Sequence, residues 1–104
     1  SLTASTLKLL QRTKVPIAIT CHDQRRLKWS RRSRDFSTDF YILNELHQDT
    51  VAFDMAFGAA KGLSRPKRES ASRWISGPGV YRLEVWSQSI RLPEGSVLTM
   101  LEVV

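Results

Sequence analysis

The sequence predicts an α+β fold, a mainly antiparallel β-sheet flanked by helices, and three observations carry that prediction. Apolar and polar residues alternate with period two in "PIAITCHD" (16–23), "LKWSR" (27–31) and "VYRLEVWSQ" (80–88). The turn formers "GPG" (77–79) and "LPEG" (92–95) punctuate the last third of the chain. Two other segments, 2–12 and 49–62, space their apolar residues as helices do. Strands and helices segregated along a chain in this way give a sheet with helices packed on it.

Taken in order, "LTASTLKLLQRT" predicts a short amphipathic helix stopped by Pro16, with Lys8, Arg12 and Lys14 toward its C-terminal end, where cations complement the helix dipole. "PIAITCHD" sets Ile17, Ile19 and Cys21 against Ala18, Thr20 and His22, which is a strand. "DQRR" is a turn, and "LKWSR" returns with Leu27 and Trp29 expected on one inward face and Lys28 in water. No clean period emerges in 35–48, although Phe36, Phe40, Tyr41, Ile42 and Leu46 must be buried somewhere. "DTVAFDMAFGAAKG" predicts a helix capped by Asp49 or Thr50 and stopped by Gly62. "LSRPKRES" is a basic loop, and "ASRWIS" fits a short strand or a helical turn. "SVLTMLEVV" carries apolar residues on both faces, as a central strand would.

The chain of 104 residues suits a single domain spanning 1–104, and it begins at Ser1, as a fragment of a longer protein would. No apolar run approaches the ~20 residues of a membrane span, so no membrane partner is expected. The single cysteine, Cys21, rules out an intrachain disulfide and suits a cytoplasmic location.

Charge is unevenly spread within a net +6: residues 1–34 hold nine cations and one acid, residues 35–64 one cation and five acids. "RRLKWSRRSR" (25–34) alone places Arg25, Arg26, Lys28, Arg31, Arg32 and Arg34 around one tryptophan. Clustered cations reward phosphates, so these six residues are candidates for binding nucleic acid or an acidic partner. Were the 25–34 hairpin to adjoin Arg65, Lys67 and Arg68, a patch of nine cations would form. The bland alternative is a solvated face, or one paired with the acids of 35–54. No helix-turn-helix, RRM, KH or zinc-finger signature accompanies the basic residues.

Catalytic chemistry finds no foothold. HExxH, CxxC, GxSxG and a phosphate-cradling glycine loop are all missing. Glu45, His47 and Asp49 alternate in "ELHQD", but loop composition explains them better than a metal does. Adjacent on a strand, Cys21 and His22 would face opposite ways and could not act as nucleophile and base. The expectation is a non-enzyme without metal or cofactor. Aromatic residues with neighbouring polar groups can also line a small-molecule site, which makes Trp29, Trp74, Trp86, Arg73 and Ser87 candidates for ligand binding. For the tryptophans, burial in the core is the competing reading.

The motifs "ASRWI" (71–75), "LEVWSQS" (83–89), "SVLTMLEVV" (96–104) and "WSRRSRDF" (29–36) together resemble the C-terminal region of ImmA/IrrE-type metallopeptidase regulators. That resemblance implies a GAF-like sensory domain in a stress-response or mobile-element regulator. There the domain governs an attached zinc metallopeptidase that acts on a transcriptional repressor. No metal-binding or catalytic residue carries over, because HExxH is missing from this chain, and the arginine density at 25–34 departs from the family pattern. The function expected is therefore non-catalytic regulation through a small ligand or a neighbouring domain of the parent protein. A nucleic-acid-binding accessory domain is the alternative.

Overall fold

The computed structural model describes residues 15–58 and 62–104, and the helix expected over 2–12 lies outside them. Strand β1 (Ile17–Asp23) turns through Gln24 and Arg25 into β2 (Arg26–Arg32), the hairpin expected from the alternation. A long segment follows, containing only the two-residue β3 (Tyr41–Ile42), and then helix α1 (Val51–Ala56). Next come β4 (Lys67–Ser70), a 3₁₀ turn (Ala71–Arg73), β5 (Ile75–Ser76), a second 3₁₀ turn (Val80–Arg82), β6 (Glu84–Arg91) and β7 (Val97–Val103). Five strands form one antiparallel sheet in the order β2-β1-β7-β6-β4, while β3 and β5 pair separately. The α+β architecture dominated by an antiparallel sheet is thus present. Among the described residues no helix is long and apolar enough to cross a membrane.

Register decides what each sheet face carries. Strand β7 lies at the centre between β1 and β6, and its apolar residues do point both ways. Ala18, Val85, Val97 and Leu101 face the connecting segments and bury with Phe36, Leu46, Ala52, Met55, Trp74 and Ile75. Ile19, Cys21 and Leu98 form a smaller cluster on the opposite face, joined by Trp29, Ile90 and Leu92. Both faces of β1 are therefore buried, from Ala18 through His22.

Local differences from the sequence expectation have identifiable causes. A bulge between Cys21 and His22 pairs Cys21 with Trp29 but His22 with Leu27. Leu27 and Trp29, expected side by side, accordingly lie on opposite faces. Helix α1 starts where expected, with the Thr50 hydroxyl accepting the Phe53 N–H at 3.2 Å. It ends at Ala56, short of Gly62, and Gly58 just beyond takes φ +84° and donates its N–H to the Met55 carbonyl. Residues 80–82 coil into a 3₁₀ turn before β6 begins, so the alternation read across 80–88 becomes strand only from Glu84, and Tyr81 is exposed. Gly77 has φ +147°, and a Cβ there would stand 2.7 Å from the Asp39 carbonyl oxygen, which fixes the approach of the 77–79 turn to the 36–40 loop.

Candidate functional site

Three of the five candidate ligand-binding residues meet at a residue that the sequence did not single out. Glu69 lies on β4 opposite Val85, so its side chain points to the face that carries the larger core. The 3₁₀ turn at Ala71–Arg73 then folds the chain back over it. Trp74 Nε1 donates to Glu69 Oε2 at 3.0 Å, and Arg73 Nη1 donates to Oε1 at 3.3 Å. The Ser87 hydroxyl, from neighbouring β6, donates to Oε2 as well. The Glu69 side chain is 2% exposed and that of Arg73 33%, so this is a carboxylate held inside the domain by a charged and two neutral donors. Its visible work is structural, tying the turn to the sheet.

A second buried polar group adjoins it through Trp74. His22 is fully buried and meets the Trp74 ring edge-on, with centroids 6.2 Å apart at 64°. Neither of its ring nitrogens makes a hydrogen bond with the described residues. The Leu43 backbone comes close enough to favour the charged ring slightly, but burial dominates and pushes the imidazole pKa down to about 4. Two residues back on the same face, the Thr20 hydroxyl is also buried and also lacks a partner among the described residues. Thr20 belongs to a row of hydroxyls crossing four strands, Ser89, Thr99, Thr20 and Ser30 in succession. Ser89 and Thr99 satisfy each other at 2.7 Å. Buried polar atoms are nearly always paired, and an unpaired one costs about 1–3 kcal/mol, so Thr20 and His22 together mark a place suited to a further hydrogen-bonding group.

Trp29 and Trp86 do not join this centre. Trp86 follows Val85 and precedes Ser87 on β6, so it points to the other face, where it pairs with Arg68 and Glu102 and is 41% exposed. Trp29 packs on that same far face against the Ile19, Cys21 and Leu98 cluster. Of the five candidates, Trp86 and Trp29 are thus set apart from Trp74, Arg73 and Ser87, Trp86 by the strand's own alternation with Ser87. Cys21 is buried there too, where loss of solvent raises its thiol pKa and leaves it a poor nucleophile.

The nine-cation patch does not form. Arg25, Arg26, Lys28, Arg31 and Arg32 sit on or beside β2, whereas Lys67 and Arg68 sit on β4, the opposite edge of the sheet. Four inter-strand steps of ~4.8 Å put the two edges about 19 Å apart. Within the 25–34 segment, Arg25 pairs with Glu45 at 3.4 Å, and no other ion pair to 35–54 occurs among the described residues. Glu45, turned toward Arg25, leaves His47 facing Asp49 at 3.7 Å. Among the described residues no three acidic, His or Cys side chains are grouped to hold a metal ion.

Neither a scan against protein-family models nor a search of curated proteins finds a match to this chain.

Proposed function

We propose that this chain is a non-catalytic sensory domain of GAF-like character, cytoplasmic, which binds a small polar ligand beneath its sheet. The observation that carries the reading is the pair of buried side chains Thr20 and His22, which make no hydrogen bond with the described residues, His22 standing edge-on to the Trp74 ring. Trp74 connects that pair to Glu69, Arg73 and Ser87, so a ligand that orders the pair also bears on the turn at Ala71–Arg73. A ligand that binds one arrangement of this turn more tightly shifts the population toward it. The resemblance of 29–36, 71–75, 83–89 and 96–104 supplies the rest of the proposal. The shift would be passed to an attached metallopeptidase that acts on a transcriptional repressor.

A thermal-shift screen over a metabolite library tests the binding step. A ligand at 100 times its Kd adds about 2.7 kcal/mol, which raises Tm by roughly 10–20 °C in a domain of this size. The His22→Phe variant should lose most of that shift while still unfolding cooperatively. A hit that stabilises the wild type and the variant equally would place binding elsewhere, and a screen without hits would remove the sensory reading.

A further inference from the structure

The cations of the first hairpin remain after the interior site has been assigned, and their setting differs from that of the other basic edge. On β4, Arg68 is neutralised by Glu84 at 3.1 Å. On the β2 side, Arg26, Lys28, Arg31, Arg32 and Arg34 are all exposed, and none forms an ion pair among the described residues. Asp23 is the single acid between residues 15 and 34, against six cations. The guanidinium of Arg31 lies 5.8 Å from the Trp29 ring centroid and that of Arg32 5.4 Å from Phe36. Each donates Nη1 to a nearby carbonyl, of Ser30 at 2.8 Å and of Ser37 at 3.3 Å. Ring and carbonyl together hold a planar fork in place while most of its five donors face outward.

Strand β2 is the sheet edge. Its first part is covered, because Leu27 donates its N–H to the Asn44 carbonyl and Arg26 bridges to Glu45. Past that point the cations alternate about the strand: Arg31 is opposite Ile19 and Arg32 opposite Ala18, so they point to different faces. A flat membrane or a single acidic surface meets one of those sides. A ridge with guanidinium groups on both flanks suits a groove with phosphates on both walls. From Arg26 to Arg32 the strand spans about 20 Å, a length over which a duplex presents roughly twelve phosphate charges.

We propose that the β2 edge, through Arg26, Lys28, Arg31, Arg32 and Arg34, is a docking ridge for the phosphate backbone of a nucleic-acid duplex, read without base contacts. This stands apart from the ligand reading, since among the described residues none of the five cations makes a side-chain hydrogen bond or ion pair with Glu69, His22 or Thr20. Edge cations also discourage strand-to-strand aggregation, and that is the competing role.

The test is fluorescence anisotropy of the whole 104-residue chain with a labelled 20-base-pair duplex and with a 20-nucleotide single strand, at 50 and 200 mM salt. Five engaged phosphates give a salt slope near −4.5 for duplex and −3.5 for single strand, which is about a 500-fold and a 130-fold loss over that range. The triple variant Arg31→Gln, Arg32→Gln, Arg34→Gln should flatten the duplex slope by about 2.7. Arg65→Gln, Lys67→Gln, Arg68→Gln at the far edge should leave it unchanged. Equal effects of the two triple variants, salt-insensitive binding, or no binding at 50 mM would overturn the proposal. So would equal affinity for polyglutamate or for vesicles containing phosphatidylserine. Self-association of the first variant with unaltered duplex affinity would assign the cations to edge protection.

Discussion

Lowering the pH should destabilise this domain through His22 in a way that can be isolated. The unfolded chain holds an ordinary imidazole near 6.5, whereas burial takes the folded one down to about 4. Protons therefore bind the unfolded state first. Stability is full above about pH 6.5 and is lost as the pH falls from there toward 4, with the unfolded state taking up a proton that the folded state refuses. At 1.36 kcal/mol per unit, the full shift is worth about 3 kcal/mol, most of which is lost by pH 4.5. Urea denaturation of the wild type and of His22→Phe at pH 7.5 and 4.5 measures it. Carboxylates titrate in both proteins, so the difference of differences reports His22. The wild type should lose about 2–3 kcal/mol more than the variant, equivalent to roughly 1–2 M in urea midpoint. Equal losses would refute the reasoning, because His22 would then be ionised alike in both states or accessible to solvent.

Two further perturbations probe the frame around the site. Glu69→Gln replaces one carboxylate oxygen with a donor facing Trp74, Ser87 or Arg73, and should lower the unfolding free energy by about 2–3 kcal/mol in urea titration. Gly77→Ala adds a Cβ 2.7 Å from the Asp39 carbonyl oxygen at φ +147°, and should cost about 1–3 kcal/mol by the same measurement. A Gly79→Ala variant, whose Cβ meets nothing within 4 Å but whose φ is +71°, should cost less.

Alternation made the hairpin and the last two strands legible, because period two survives wherever one sheet face is packed. It misled where both faces are packed. Ala18, Thr20 and His22 alternate with Ile17, Ile19 and Cys21 and look like a solvent face, yet they are buried. The signal that they face inward is their lack of charge: a wet row on so basic a chain would carry Lys or Arg. Leu27 and Trp29 were separated by a bulge, which adds one residue without leaving a composition mark. Glu69 went unseen because "PKRES" reads as a charged loop. Only its register opposite Val85 reveals that this carboxylate points inward while Arg68 beside it points out. Gly58 rather than Gly62 follows the end of α1, and sequence alone does not separate them, since either glycine supplies the positive φ that a helix stop uses. The distance between the basic hairpin and the basic loop depends on strand order, which no local pattern encodes.

The most direct measurement is an NMR fragment screen on ¹⁵N-labelled protein, following the Trp74 indole N–H, the Thr20 amide and the His22 ring. The account predicts that fragments which bind move these three signals together and leave the Trp29 and Trp86 indoles in place. Fragments that move only Trp29 and Trp86, or none that move Trp74 and His22, would contradict it.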